Sequence, residues 1–186
     1  MKLGKTYTLI EIVEGSKANN KLLQKLLYQQ FASKMFAICM RYAKDRMEAE
    51  DVLQIGFIKI FKEINSYRAE GNFEGWMRKI MVNTAIESYR KNLRFLNVVP
   101  IEYAFEEPEN SINFCNLEMQ DLIKIIQKLA EGYRIVFNMY IIEGYSHKEI
   151  GATLGISEST SKSQLSRARA ILQLEIIKME GFRYAT

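Results

Sequence analysis

The sequence predicts an all-α protein made of two small helical domains joined by a flexible acidic linker. Three observations carry this. Apolar residues recur at spacings of three and four along most of the chain, and strand-like alternation is absent. Both prolines, Pro100 and Pro108, fall in one stretch, 95–121, that has no Lys or Arg but holds Glu102, Glu106, Glu107, Glu109, Glu118 and Asp121. Near the C-terminal end, residues 143–169 read as two short helices separated by a tight turn.

Taken in order, residues 1–15 hold a weak apolar pattern, Tyr7, Leu9, Ile10 and Ile12, that fixes no element. Between residues 17 and 44, Leu22, Leu23, Leu26, Leu27, Phe31, Met35, Ile38 and Tyr42 predict one or two amphipathic helices. A further helix over 47–64 turns Val52, Leu53, Phe57, Ile60, Phe61 and Ile64 to one side. Asp51, Gln54, Ile55, Ile58 and Lys62 are left nearer the other. Two isoleucines beside acidic and amide groups suit a surface covered by a larger partner, although single exposed apolar residues are common.

Residues 65–72, NSYRAEGN, form a loop that carries Tyr67 and Arg68. The next helix, 73–91, packs Phe73, Trp76, Met77, Ile80 and Met81 inward and sets Lys79, Asn83, Glu87 and Arg90 in a polar stripe. Over 76–94 the cations Arg78, Lys79, Arg90, Lys91 and Arg94 face one acid, Glu87. A cationic helix beside an aromatic loop suits single-stranded nucleic acid, because bases stack on rings while cations track phosphates. Trp76 reads as a core anchor. The first domain spans residues 17–91 and the linker 92–116, since proline removes a backbone donor and disfavours helix in the residue before it.

The second domain, 117–180, opens with a helix through Leu122, Ile125, Ile126 and Leu129 that Gly132 ends. A second helix, with Ile135, Val136, Met139 and Tyr140, stops at Gly144. Ser146 and Glu149 form a capping-box pair, so a third helix starts at His147. Gly155 stands where the chain must enter a left-handed conformation, and Ser157 caps a fourth helix. Leu165, Ala168 and Leu172 share its inner face; Ser159, Lys162, Ser163, Ser166 and Arg167 make a polar, cationic outer face suited to a major groove. This helix continues through Ile176, and nothing beyond Gly181 reads as structured.

Together these segments resemble the extracytoplasmic-function group of bacterial RNA polymerase sigma factors, the smallest members of the sigma-70 family. EAEDVLQIGFIKIF (48–61) is similar to that family's segment for binding core polymerase, and FEGWMRKIMVNTAIESYRK (73–91) to its segment for opening and reading the minus-ten element. The helix-turn-helix is similar to its minus-thirty-five reader. The resemblance implies a sigma2-like bundle and a sigma4-like domain, and a function as a sigma factor directing promoter-specific initiation. It implies that Asp51, Gln54, Ile55 and Ile58 face the clamp helices of the polymerase and that loop 66–72, with Tyr67 and Arg68, holds a flipped-out base. It places Asn83 on the neighbouring nucleotide, Arg90 and Lys91 along the backbone, and Lys162, Ser163 and Arg167 in the major groove. The implied partners are core RNA polymerase, promoter DNA and an anti-sigma factor. The chain departs from the pattern at Ile55, usually an acid, at Gly56, usually a small hydroxyl residue, at Ser161, usually apolar, and at Gln164, often arginine.

Other classes fit less well. No carboxylate cluster, Walker loop or nucleophile with a histidine base is present, so no enzyme, cofactor or metal site is expected. His147 has no ligand partners at useful spacing and reads as an exposed helix residue. Cys39 and Cys115 stand apart and fit buried thiols in a reducing compartment. With no bilayer-length apolar segment or leader pattern, a cytoplasmic location is expected. The alternative is a free-standing helix-turn-helix regulator of duplex DNA, but no heptad seam for dimerisation is evident.

Overall fold

The computed structural model describes residues 6–96 and 119–183, and among these every regular element is helical. In order they are α1 (Leu9–Lys17), α2 (Lys21–Tyr42), α3 (Arg46–Glu63), a 3-10 turn (Ile64–Ser66), α4 (Phe73–Leu96), α5 (Met119–Lys128), α6 (Glu131–Phe137), a π-helical turn (Asn138–Ile142), α7 (His147–Leu154) and α8 (Glu158–Arg183). Most of the predicted linker lies outside the described residues, with Pro100, Pro108 and Cys115. No helix among the described residues is long and apolar enough to cross a membrane. The chain forms two compact units: Met1–Cys39 with Arg46–Ala85, and Met40–Asp45 with Ile86–Thr186.

The first unit is built on Leu27, Phe31 and Met35 of α2, Val52, Phe57 and Ile60 of α3, and Phe73, Met77 and Met81 of α4, all buried. Each such side chain contributes about 1.5–3 kcal/mol by leaving water. Gly56 lies at the contact of α3 with α4, and the Met81 thioether fills the space a Cβ would need. That accounts for glycine at this departure from the family pattern. The unplaced N-terminal stretch is a helix, α1. Its start is closed by a full capping box, in which the Thr8 N–H donates to Glu11 (2.8 Å) and the Glu11 N–H donates to the Thr8 hydroxyl (3.3 Å).

In the second unit Ile125, Ile126 and Leu129 of α5, Ile135, Val136 and Phe137 of α6, Ile150 and Leu154 of α7, and Leu165, Ala168, Leu172 and Ile176 of α8 make the core. Arg134 is buried among them because carbonyls surround it. Its Nη1 donates to Gln127 O (3.1 Å) and Leu129 O (3.0 Å), and its Nε donates to Tyr42 O (2.9 Å). Two expectations need correcting. Gly132 does not end a helix: α5 stops at Lys128, and Gly132 lies in the first turn of α6, where a Cβ would meet the Gln164 amide at 3.4 Å. The last helix continues past Gly181 to Arg183. Gly144 does end its helix, with φ 76°, and the Tyr145 N–H donates back to Met139 O (2.9 Å).

Candidate nucleic-acid and partner interfaces

The helix-turn-helix is closed at each joint by local hydrogen bonds. The Ser146 N–H donates to Glu149 (2.8 Å), and the Glu149 N–H returns to the Ser146 hydroxyl (3.3 Å). The Ser146 backbone and hydroxyl together hold the Glu149 carboxyl below its ordinary range. Gly155 adopts φ 72° and its N–H donates to Gly151 O (2.9 Å), which reverses the chain in one residue. Ser157 then accepts from the Thr160 N–H (2.9 Å) and starts α8. Gly151 is pressed against this turn, where a Cβ would stand 2.8 Å from Ile156 O.

The predicted groove face is only partly open. Ser159 and Lys162 are exposed, and Ser163 is half-buried, its hydroxyl donating to Thr160 O (3.0 Å). Ser166 is 8% exposed and is no part of an open face. Both α6 and α7 pack on α8, so its buried arc is wider than the Leu165, Ala168, Leu172 stripe and takes in Ser161 and Ser166. Arg167 is half-buried, with Nη1 donating to the Tyr133 hydroxyl (3.1 Å) and the guanidinium 6.0 Å from that ring. Lys162 pairs with Glu158 at 2.8 Å and holds that carboxyl low, with His147 and Lys148 adding to the pull. Exposed Lys148 thus shares the electrostatics of the α8 start; it sits inside the motif but was not among the residues singled out from sequence.

His147 is not simply exposed. Its ring stacks on Tyr140 (4.4 Å, 21°), and its Nδ1 lies 2.9 Å from the hydroxyl of Ser161. The fully buried Ser161 therefore docks α8 by a hydrogen bond, in place of the apolar contact that the resemblance leads one to expect.

In the first unit, loop 66–72 is bent by Ala69 (φ 60°) and Gly71 (φ 101°) and tied by the Tyr67 hydroxyl donating to Gly71 O (2.7 Å). Asn72 caps α4 by accepting from the Glu74 N–H (2.9 Å). Tyr67 is half-buried in an aromatic cluster with Phe73 (4.9 Å) and Trp76 (5.5 Å). Trp76 is half-buried as well, stacked on Phe73 rather than sunk in the core. Arg68 is exposed on the loop, and Lys79 and Asn83 are exposed along α4; Glu87, Arg90 and Lys91, on the part of that helix that belongs to the second unit, are exposed as well.

On α3, Asp51 and Gln54 are exposed, with Ile55 at 46% and Ile58 at 68%, opposite the buried Val52, Phe57 and Ile60. An open groove of about 350 Å³ runs beside Gln54 between α2 and α3. Its rim is charged by Arg46, which bonds Glu50 (2.7 Å) and stands over Phe36.

Comparison with known proteins matches residues 27–95 to Sigma-70 region 2 and residues 119–172 to Sigma-70 region 4. Among curated relatives, the chain is 30% identical over 152 residues to the ECF RNA polymerase sigma factor SigE of Mycolicibacterium smegmatis, covering 79% of this chain and 59% of that one. It is 29% identical over 147 residues to the RNA polymerase sigma factor SigZ of Bacillus subtilis, covering 79% and 83%. Among solved structures, it is similar to the sigma factor RpoE in complex with the anti-sigma factor NepR from Bartonella quintana, with a TM-score of 0.47 at 23% identity over 82% of this chain and 95% of that one. With both regions present in family order and extracytoplasmic-function factors among its relatives, the chain belongs to the sigma-70 family of RNA polymerase sigma factors, in the extracytoplasmic-function group.

Proposed function

We propose that this chain is a dissociable, non-catalytic subunit that binds core RNA polymerase, working in the cytoplasm, and gives the enzyme its promoter specificity. The exposed face of α3 with Asp51, Gln54, Ile55 and Ile58 docks on polymerase. Loop 66–72 and the exposed edge of α4, with Tyr67, Arg68, Asn83, Arg90 and Lys91, take the opened minus-ten strand. Ser159, Lys162 and Ser163, joined by Lys148, meet the minus-thirty-five duplex. Arg167 reaches DNA only if it leaves Tyr133, and an anti-sigma partner is part of the same reading.

One observation carries the proposal. A single chain holds a capped helix-turn-helix and, separately, an aromatic loop beside an exposed polar helix edge. The first suits duplex and the second suits unstacked bases. Neither has many cations, so each alone binds weakly, and selectivity arises when polymerase holds both at one separation. Capturing a base costs a few kcal/mol of unstacking, which the aromatic site must offset.

Run-off transcription with purified core polymerase over a genomic library tests this. Initiation at discrete sites is expected only when chain and core are combined. Tight binding of the chain alone to one duplex operator, with no association with core, would overturn the proposal.

A further inference from the structure

We propose that α1 is a wall of the base-capturing site, and that Lys17 at its C-terminal end is a positioning residue that holds the Tyr67 ring for promoter opening. The inference rests on reading loop 66–72 as the site of an unstacked base. The region 2 match begins at residue 27, so it assigns nothing to α1.

The geometry begins with where α1 lies. It packs against the 3-10 turn Ile64–Ser66, which leads directly into the loop. The Lys17 ammonium stands 5.9 Å from the centroid of the Tyr67 ring, within the range where a ring quadrupole attracts a cation. Its side chain is 21% exposed, against 62% for its ion-pair partner Glu14 at 2.9 Å. Partial burial removes competing water and strengthens the attraction to the ring. Tyr67 is meanwhile held by its hydroxyl on Gly71 O and by the rings of Phe73 and Trp76. Lys17 supplies a further restraint from a different element.

The position of Lys17 is itself well fixed, because both ends of α1 are closed. The Thr8–Glu11 box closes the start. At the end the Ala18 N–H donates to Glu14 O (3.1 Å), Asn19 turns left-handed at φ 59°, and Asn20 accepts from the N–H groups of Leu22 and Leu23 to begin α2. Gly15 lets α1 approach α2, since Leu23 fills the space of its missing Cβ. The buried Ser16 hydroxyl donates to Ile12 O (2.7 Å).

The test uses holoenzyme reconstituted on core polymerase, with open complex read by permanganate reactivity and closed complex by filter binding at low temperature. Lys17→Met is expected to lower the open fraction about two- to fivefold, the range of one ring–cation contact, with closed-complex affinity and Tm unchanged. Lys17→Arg should restore opening. Glu14→Gln, which removes the ion pair but keeps the cation over the ring, should open like wild type. In a Tyr67→Ala background, Lys17→Met should add nothing. Wild-type opening by Lys17→Met, an effect fully additive with Tyr67→Ala, or equal losses in Lys17→Met and Glu14→Gln would overturn the inference. Wild-type opening by Tyr67→Ala would instead remove the loop reading on which it stands, whereas a defect in Tyr67→Ala alone would sink only the role of Lys17.

Discussion

Two glycines show how the same deletion of a side chain answers different constraints. At Gly151 the obstacle to a Cβ is backbone, Ile156 O at 2.8 Å, and backbone in a hydrogen-bonded turn cannot yield locally. Gly151→Ala should therefore separate α7 from the turn and cost about 1–3 kcal/mol, the usual cost of overpacking, measurable by urea denaturation. At Gly56 the obstacle is the thioether of Met81, which can change rotamer. Replacing a mid-helix glycine by alanine gains about 1 kcal/mol of helix propensity at either position, so the nature of the obstacle decides between them. Gly56→Ala should thus be clearly milder than Gly151→Ala in the same experiment. The sequence marked Gly155 correctly because a left-handed turn has a local signature. Gly151 gave no such sign, since its constraint comes from a residue folded back onto it.

At the scale of elements, caps were the most legible feature and also the one read unevenly. Ser146 with Glu149 and Thr8 with Glu11 form the same box, yet only the first is legible in the sequence, because the apolar pattern after Thr8 is too short to announce a helix. Charge pairing between elements was not legible. Glu175 on α8 accepts from Lys128 of α5 (2.6 Å) and from Lys178 (2.9 Å), and these two bonds, Lys128 first, draw its carboxyl from an ordinary 4.5 down to about 2. A folded-state pKa below the unfolded one gives stability that is present above about 4.5 and lost as pH falls toward 2. In thermal melts followed by circular dichroism, the fall in Tm between pH 4.5 and 2 should be shallower for Glu175→Gln than for wild type. The difference should be small, because exposed ion pairs contribute little.

For the molecule as a whole, the all-α class and the order of the two functional segments followed from periodicity and punctuation, which are properties of short windows. The inward turn of Ser166 and the bond from Arg134 to Tyr42 O did not, because a carbonyl or a second packing helix leaves no trace in the local pattern. The α3 face was legible in the sequence because one surface of an amphipathic helix can be read directly, and it carries a test of the whole assembly. Asp51→Lys with Gln54→Ala should weaken association with core polymerase about tenfold or more, equivalent to ~1.4 kcal/mol. Gel filtration and circular dichroism should show the fold intact, and undiminished co-elution with core would count against the docking face. The π-helical turn Asn138–Ile142, closed by the Glu143 N–H on Asn138 O (3.1 Å), bears on any comparison of this chain with its kin. Such a turn accommodates a residue more than a regular one. A homologue with an unbroken α-helix there must be a position shorter between the arginine-bearing and histidine-bearing helices, or make up the difference nearby, so numbering and angular phase cannot both be kept in an alignment.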